Sequence, residues 1–397
     1  MARGPKQSAQ PLLRQYLATL ADSRGLTRTL GEIELCRDAQ GRPLVSVGNS
    51  AAVFRIRHAG RICALRCYLR PPRHLREIYG TRLLEGELYL YETPTHGVWT
   101  DVVLDDWIEG ETLDRVVRRA AQAGECARLH DLAAAFDRLA AELLADEKAH
   151  GDLKPENIVV GTDGGLHPID FDAAYLPAFA GERSPELGTA AYQHPARTAE
   201  LYDERLDDYP AALISTALHA LACDPSLLLR HGDADGLLLT PQAIPEDAAY
   251  REITALFRRR GMALPLRIAE LLASPTPHLC GAAALFALAA GAGSGNMTAP
   301  DTDGEEVPEL FVEQGRWGYR TPRRIVIPAL YDCGFDFTEG LAAVLLGDVW
   351  HYIDTTGRTV ISCPGCEAVK PFRGGRAQIV RDGRRRQIDR TGTEFDI

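Results

Sequence analysis

The chain has 397 residues, of which 45% are hydrophobic and 25% are charged. This composition excludes an intrinsically disordered protein, because there is enough apolar surface to bury against chain entropy. Lys and Arg number 44 and Asp and Glu number 55, so the net charge is −11, which argues against a protein whose whole surface binds nucleic acid. Nine cysteines, an odd number, and the lack of an apolar export signal at the start predict reduced thiols and a cytoplasmic location.

The first 290 residues divide into three regions that differ in their pattern of apolar residues. Residues 1–43 predict an N-terminal helical extension and a first strand, because apolar residues recur there at helical spacing. Residues 44–110 alternate in short runs of β-branched and aromatic residues, which predicts a sheet with one helix near 73–86. Residues 111–290 show helical periodicity, apart from a strand-and-loop stretch at 149–172.

The remaining chain contains an apolar run, a linker and a second strand-rich region. The run 282–292 has 11 residues, whereas a membrane span needs about 20, so it predicts a core helix and no membrane partner. Residues 291–310 are small and acidic without periodicity, which predicts a linker. Residues 311–397 return to strands and turns. There Cys363-Pro-Gly-Cys366 has the spacing of half a zinc site, but we interpret it as a Pro-Gly turn flanked by buried thiols.

An internal repeat with a period of 33 to 35 residues occurs within 311–397. Residues 317–319 (Trp-Gly-Tyr) recur 33 positions later at 350–352 (Trp-His-Tyr). Residues 353–357 (Ile-Asp-x-x-Gly) recur 35 positions later at 388–392. A shared period of this length predicts stacked supersecondary units.

The strongest chemical signal lies at 150–158, His-Gly-Asp-Leu-Lys-Pro-Glu-Asn-Ile, followed at 169–172 by Ile-Asp-Phe-Asp. Asp152 can accept a proton from a hydroxyl group, and Lys154 offers a positive charge beside it. Carboxylates and cations in this combination are the groups that phosphoryl transfer requires.

Two further side chains of this stretch offer hard oxygen atoms. Asn157 and Asp170 carry the amide and carboxylate oxygens that nucleotide-bound Mg²⁺ prefers. The strand-like segments 158–160 and 167–169 bracket a Gly-Gly turn at 164–165. They predict a hairpin that brings Asn157 and Asp170 side by side at its open end.

These motifs resemble the protein-kinase superfamily, whose catalytic loop reads H-R-D-L-K-x-x-N and whose metal loop reads D-F-G. The resemblance covers 44–290 and implies an α+β, two-lobed protein-kinase-like fold, with an N-lobe at 44–110 and a C-lobe at 111–290. It implies phosphoryl transfer to a Ser or Thr hydroxyl of a protein, with ATP and Mg²⁺ as cofactors. By position, it implies that Asp152 is the catalytic base, Lys154 neutralises phosphate charge, and Asn157 and Asp170 bind Mg²⁺.

Two other segments also follow the family pattern. Residues 188–195 (Gly-Thr-Ala-Ala-Tyr-Gln-His-Pro) are similar to the segment that closes a kinase activation loop. Asp207 opens an apolar helix and looks like the aspartate that braces the catalytic loop.

The N-terminal half departs from the family pattern. The glycine-rich loop aligns with 46–54, which keeps one glycine of three, and Arg66 stands where the family has a strand lysine. Its expected partner on the helix is Glu77 or Glu85. Because a guanidinium is planar and bulkier than an ammonium group, a nucleotide-binding pseudokinase scaffold that acts by protein binding stays an alternative. The ATP-binding residues implied by the alignment are Ser46, Gly48, Ala51, Val53, Ala64, Arg66 and Glu77.

A third possibility is a small-molecule phosphotransferase of the aminoglycoside or choline kinase type. Those enzymes use H-G-D and D-x-D motifs, which residues 150–152 and 170–172 resemble. Lys154 and the segment 188–195 favour the protein-kinase branch. We interpret Asp172, which replaces the last glycine of D-F-G, as a solvated carboxylate rather than an additional Mg²⁺ ligand.

Residues 311–397 resemble the WG-repeat family of bacterial proteins. This resemblance implies a small all-β WG-repeat domain that binds a protein substrate or protein partner. Trp317, Tyr319 and Tyr331 offer either a binding face or a packed core, and we interpret them as core. The arginine runs at 258–260 and 384–386 are interpreted as solvated charge, so no nucleic-acid partner is expected.

Overall fold

A computed structural model describes residues 10–232, 236–292, 307–313, 315–321, 325–347 and 349–396. The secondary structure is mixed α/β, and the described residues beyond 307 form small antiparallel sheets. The chain divides into two compact units. The first comprises Met1–Gly110 with Phe171–Ala173, and the second comprises Glu111–Asp170 with Ala174–Ile397.

The first unit is built on a six-stranded antiparallel sheet. Its strands are β1 (Glu34–Leu35), β2 (Val45–Val47), β3 (Ala51–His58), β4 (Arg61–Tyr68), β5 (Leu83–Thr93) and β6 (His96–Asp106). They are ordered β1-β3-β4-β6-β5, and β2 also pairs with β3. Helix α1 (Leu13–Ala21) covers one face, because its buried Tyr16 and Leu20 join a core with Phe54, Ile56 and Leu65 of the sheet. This arrangement leaves the other face of β3 and β4 for other contacts.

The helix predicted near 73–86 is much shorter than expected. Helix α2 spans Leu75–Tyr79, a single 3-10 turn follows at Gly80–Arg82, and β5 begins at Leu83. Gly80 has φ +53°, a left-handed conformation that ends a helix at little cost only for glycine. The prediction was wrong in length because the apolar period changes from helical to alternating after this glycine.

The second unit begins with helices and one hairpin. Strand β7 (Gly110–Thr112) lies at its border, and the hairpin consists of β8 (Ile158–Gly161) and β9 (Leu166–Pro168). The helices are α3 (Leu113–Gln122), α4 (Cys126–Ala145), α5 (Asp208–Cys223), α6 (Leu227–His231), α7 (Ala248–Arg259), α8 (Ala263–Leu271) and α9 (Ala282–Ala292). Helix α9 packs into the core through Leu285 and Phe286, as predicted for the apolar run. In the described part of the chain, none of the helices has the length and apolarity needed to cross a membrane.

The C-terminal strands form three small sheets. Their strands are β10 (Glu309–Glu313), β11 (Arg316–Arg320), β12 (Ile325–Tyr331), β13 (Cys333–Gly334), β14 (Leu341–Leu346), β15 (Val349–Asp354), β16 (Thr359–Cys363), β17 (Cys366–Val369), β18 (Arg376–Arg381), β19 (Arg384–Asp389) and β20 (Glu394–Asp396). The sheets are β10–β12, β13–β16 and β17–β20, each with neighbouring strands in chain order. Three successive antiparallel sheets are the stacked β units that the sequence repeat predicted.

Equivalent tyrosines have the same role in successive repeats. Tyr319 is fully buried and its hydroxyl donates to the carbonyl oxygen of Phe335 at 2.7 Å. Tyr352 is also fully buried and donates to the carbonyl oxygen of Lys370 at 2.8 Å. Tyr331 is 1% exposed. The prediction that the aromatic residues of these motifs are core residues is therefore confirmed for the tyrosines, whereas Trp317 is only partly buried and packs against the core.

The C-terminal strands share a hydrophobic core with the helices of the second unit. Leu330, Tyr331 and Val344 belong to the same buried cluster as Phe286 of α9. Arg267 of α8 also donates from Nη2 to the carbonyl oxygen of Leu330 at 3.1 Å. Most of the predicted linker at 291–310 lies outside the described residues.

Candidate functional site

The hairpin of β8 and β9 brings together the backbone of Asn157 and Asp170, the two predicted Mg²⁺ ligands. Ile158 pairs with Pro168 in the antiparallel register. Just beyond this pair, the amide of Ile169 donates to the carbonyl oxygen of Asn157 at 2.8 Å, and Asp170 follows directly. The hairpin predicted from the β-branched runs and the Gly-Gly turn is confirmed.

Asp152 is held by hydrogen-bond donors on both carboxylate oxygens. The amide of Thr189 donates to Oδ1 at 2.6 Å. The Lys154 Nζ atom lies 3.0 Å from Oδ2, and Asn157 Nδ2 donates to the same oxygen at 3.2 Å. The side chain is 18% exposed. Asp152 is therefore fixed in orientation while it keeps access to solvent.

Lys154 joins Asp152 to the segment at 188–195. Its Nζ atom donates to Thr189 Oγ1 at 2.7 Å as well as contacting Asp152. The preceding Gly188 has φ +74°, and a Cβ atom there would lie 2.8 Å from the carbonyl oxygen of Gly151. Only glycine permits this close approach, so the segment can bring Thr189 to Asp152. Sequence reasoning singled out the segment but not Thr189 itself.

Asp207 braces the loop that carries Asp152, as the sequence resemblance implied. It stands at the start of α5, is 1% exposed, and accepts from the amides of His150 at 2.5 Å and Gly151 at 3.0 Å. Burial raises the pKa of Asp207, and the charge of His150 together with the two amide hydrogen bonds opposes this effect. The His150 ring is also anchored, because its Nε2 lies 2.8 Å from the carbonyl oxygen of Ile169.

The donor set of Asn157 and Asp170 fits Mg²⁺. Asn157 Nδ2 donates to the carbonyl oxygen of Asp152 at 2.9 Å, so the opposite atom of the amide, Oδ1, is the one presented to a ligand. Asp170 has φ +69°, in the left-handed region that Asp adopts more readily than most non-glycine residues. Among the described residues, no cluster of three His, Cys, Asp or Glu side chains could hold a metal ion. Two protein ligands suit Mg²⁺, which takes its remaining ligands from water and phosphate.

In the first unit, the predicted nucleotide-binding residues of β3 and β4 share one face of the sheet. Val53 lies opposite Arg66 in the register, and Ala51 lies opposite Tyr68. Ala64 is two residues from Arg66 and therefore points to the same side. Because directly opposed and alternate residues lie on one face, Ala51, Val53, Ala64 and Arg66 form a common surface, opposite to the face that α1 covers.

The predicted phosphate loop is a tight hairpin between β2 and β3. Ser46 lies opposite Val53, and the amide of Gly48 donates to the carbonyl oxygen of Ala51 at 2.9 Å. Gly48 does not have a left-handed conformation, and a Cβ atom there would come no closer than 3.6 Å to Ala51 O. This hairpin therefore does not depend on glycine, which is consistent with the single glycine left in the loop.

Arg66 forms a buried ion pair with Asp172. Arg66 Nη1 lies 3.0 Å from Asp172 Oδ2, and the two side chains are 13% and 4% exposed. Asp172 Oδ1 accepts from the hydroxyls of Tyr68 at 3.0 Å and Tyr79 at 2.6 Å. Burial raises the pKa of Tyr68, which keeps its hydroxyl protonated as a donor. Phe171 packs against the same small core as the two tyrosines.

This pairing corrects two expectations. Asp172 was expected to be solvated, but it is 3% exposed, because a guanidinium and two hydroxyls replace its hydration. The carboxylate partner of Arg66 was expected on the helix, at Glu77 or Glu85, but Asp172 supplies it. Glu77 is exposed, and Glu85 pairs with Arg76 at the surface. The assignment of Glu77 to ATP binding stays a prediction.

Residues 323–350 and 352–384 match the family model described as WG containing repeat. The C-terminal region of the chain therefore carries WG repeats. These matched residues lie outside 44–290, so the interpretation of the catalytic loop rests on its geometry and its motifs. No curated protein matches the chain.

Proposed function

We propose that residues 44–290 carry an Mg-ATP-dependent phosphotransferase of the protein-kinase type, which modifies a Ser or Thr hydroxyl of a protein. The observation that carries this proposal is the Asp152 carboxylate, which Lys154, Asn157 and the amide of Thr189 hold from three sides. A positioned carboxylate with an adjacent cation is the arrangement that phosphoryl transfer to a hydroxyl needs.

Asp152 would orient the acceptor hydroxyl and accept its proton. Its three donors limit its rotation, so that little reorganisation is needed when the hydroxyl binds. Lys154 would stabilise the negative charge of the phosphoryl group in transfer, since its Nζ atom lies beside the same carboxylate. Asp170 and the amide oxygen of Asn157 would hold Mg²⁺. Bound Mg²⁺ neutralises charge on nucleotide phosphates.

The nucleotide would use the exposed edge of the phosphate hairpin and the surface of β3 and β4. Backbone amides and Ser46 of the hairpin offer donors to phosphate oxygens. Val53 and Ala64 offer the small apolar surface that suits a base, whereas Ala51 is 5% exposed and packs in the core with Tyr68 and Tyr79. Arg66 offers the cation of this surface, with a partner in Asp172.

The WG repeats at 323–384 support protein binding as a second activity of the chain. No group of catalytic character was identified there from the sequence. We therefore infer that the repeats bind a protein substrate or a protein partner, while residues 44–290 perform the chemistry.

The Arg66–Asp172 pair favours one competing function, a pseudokinase scaffold. Asp172 already neutralises much of the positive charge of Arg66. This reduces the attraction that Arg66 exerts on the phosphates of a nucleotide. In the scaffold, nucleotide binding alone would regulate protein binding. The intact arrangement around Asp152 supports the enzyme over the scaffold.

The same pair argues against a small-molecule phosphotransferase. That alternative assigns both carboxylates of the D-x-D motif to metal. Asp172 instead accepts from Arg66, Tyr68 and Tyr79. The contact of Lys154 with Thr189 also supports the protein-kinase type.

A transfer assay with γ-labelled ATP tests the proposal. The full chain is incubated with a mixture of unphosphorylated Ser and Thr peptides, with Mg²⁺ or with EDTA. We expect Mg²⁺-dependent labelling that Asp170→Asn abolishes and Asp163→Asn preserves, because Asp163 lies in the exposed turn of the same hairpin. Labelling that is absent in the wild type, together with retained ATP binding, would support the scaffold instead.

A further inference from the structure

The Cys363-Pro-Gly-Cys366 turn joins two repeat sheets. Strand β16 ends the sheet β13–β16 at Cys363, and β17 begins the sheet β17–β20 at Cys366. Gly365 has φ +75°, which is the conformation that the third residue of a Pro-Gly type II turn requires. A turn of this kind brings its first and fourth Cα atoms within about 7 Å, which is compatible with the Cα separation of disulfides, about 4.4–6.8 Å.

The two thiols lie on the same side of the turn. Cys363 and Cys366 are 2% and 5% exposed, and both belong to the core formed with Tyr352, Phe372 and Ile379. Only two residues separate Cys363 from Cys366, and both side chains enter the same core, so the two thiols are neighbours. The prediction of buried thiols beside a Pro-Gly turn is confirmed, and their placement in one core adds a chemical possibility that the spacing did not reveal.

The surroundings make the two sulfurs unequal. The Arg381 guanidinium donates from Nη2 to Cys366 Sγ at 3.4 Å. Burial and the neighbouring sulfur raise the pKa of Cys363 to about 12. Of the two sulfurs, Cys366 is the one that a guanidinium contacts, so we assign it as the attacking sulfur. Pro364 and Gly365 of the turn are exposed.

We propose that Cys363 and Cys366 form a redox-active dithiol that a small peroxide oxidises to an intramolecular disulfide at the junction of the two repeats. The Cys366 thiolate attacks one oxygen of hydrogen peroxide, the O–O bond breaks, and the products are a sulfenic acid and hydroxide, which takes up a proton. Cys363 then gives up its proton and its sulfur attacks the sulfenic sulfur. The S–S bond forms and the sulfenic oxygen leaves as water, so that two thiols and one peroxide give one disulfide and two waters.

Two other buried cysteines provide an internal comparison. Cys63 and Cys67 are 6% and 0% exposed, but both lie on β4. Four residues of extended strand separate them by about 13 Å, beyond the reach of a disulfide. Burial alone therefore does not distinguish the two pairs, whereas geometry does.

Peptide mapping of the native full chain tests the proposal. The protein is exposed to hydrogen peroxide, blocked with iodoacetamide and digested with trypsin, which releases Cys363 and Cys366 together in the peptide 359–373. We expect this peptide to lose two hydrogen atoms and resist alkylation, and to recover two alkylation sites after treatment with dithiothreitol. Cys63 and Cys67 are expected to stay reduced under the same conditions. Arg381→Gln is expected to slow the oxidation several-fold.

Two results would overturn the proposal. One is alkylation of Cys363 and Cys366 to the same extent as Cys63 and Cys67 at every peroxide dose. The other is conversion of the pair to sulfinic acids without a disulfide. A Cys363→Ser variant separates the steps, since it is expected to leave Cys366 as a sulfenic acid that dimedone traps. The experiment does not depend on phosphotransfer, so failure of the proposed function leaves it unaffected.

Discussion

Asp172 Oδ2 lies 3.0 Å from Arg66 Nη1, although the two residues are 106 positions apart in the chain. In the resemblance to protein kinases, Asp172 aligns with the last glycine of the D-F-G motif and Arg66 aligns with the strand lysine. The segment 171–173 therefore supplies a carboxylate to a cation on β4 within the first unit.

Removal of Asp172 is expected to destabilise the protein strongly. Asp172→Ala leaves Arg66 buried without this counter-ion, which typically costs about 3–5 kcal/mol. The double variant Arg66→Met with Asp172→Ala should recover much of that loss, because it removes the buried cation together with this counter-ion. Urea unfolding measures both. Glu85→Ala, which breaks an exposed pair with Arg76, is the control and should cost at most about 1 kcal/mol. If the double variant is less stable than Asp172→Ala, the two residues do not stabilise the fold as an ion pair.

Local patterns predicted the parts of the site that lie close together in the chain. The hairpin that aligns Asn157 with Asp170 follows from two short β-branched runs around a Gly-Gly turn. The bracing role of Asp207 is what the resemblance to protein kinases implied for the residue that opens this apolar helix. Both depend on residues near one another, or on a motif with fixed spacing.

The environment of Asp172 could not be predicted in this way. Its partners Arg66, Tyr68 and Tyr79 lie about a hundred positions earlier, and no periodicity links them to it. The length of α2 was also overestimated, because Gly80 ends the helix through its backbone conformation. Burial of a carboxylate depends on tertiary contacts that residue type alone does not specify.

Gly188→Ala is expected to disturb the arrangement around Asp152. The new Cβ would lie 2.6 Å from Gln193 Nε2 and 2.8 Å from the carbonyl oxygen of Gly151, at φ +74°. Gly181 is a matched control, because it has φ +85° but nothing within 4 Å of a Cβ. Gly181→Ala therefore measures the cost of the left-handed backbone conformation alone, about 1–2 kcal/mol. Phosphotransfer and thermal unfolding of both variants measure the difference. If Gly188→Ala and Gly181→Ala lose the same amount of phosphotransfer activity and thermal stability, the close packing of Gly188 against Gly151 and Gln193 does not position Asp152.

Gly318→Ala tests why the first repeat carries glycine after its tryptophan. A Cβ at Gly318 would lie 2.6 Å from the backbone of Ile327 and Ala329 on β12, so the strands must separate. We expect a loss of about 1–3 kcal/mol, as for other overpacked sites. Gly236→Ala, where the nearest atom is 3.5 Å away, should change the free energy of unfolding by less than about 0.5 kcal/mol. A tolerated Gly318→Ala would refute this explanation.

The second repeat has His351 at the corresponding position, and this residue should make stability depend on pH. Burial lowers the pKa of His351 to about 4, and neither ring nitrogen has a hydrogen-bond partner among the described residues. The unfolded chain binds a proton near pH 6.5. The folded state binds one only near pH 4, so acid favours unfolding. The free energy of unfolding should therefore be highest above pH 6.5. Between pH 6.5 and pH 4 it should fall by about 1.4 kcal/mol per pH unit.

Urea unfolding of wild type and His351→Gln between pH 7 and pH 4.5 measures this effect. We expect the stability difference between the two proteins to shift in favour of the variant as pH falls. His96→Gln removes an exposed histidine and should leave the pH profile unchanged. Parallel profiles for wild type and His351→Gln would contradict the assignment.

The measurement closest to the central claim compares Asp152→Asn with wild type under single-turnover conditions. Asparagine keeps the size of the side chain but removes the carboxylate that is proposed to accept the hydroxyl proton. The account expects the Mg-ATP Kd, measured by calorimetry, to stay within about twofold, and the rate of labelled phosphate transfer to fall by at least about 100-fold. Transfer by Asp152→Asn at the wild-type rate would contradict it.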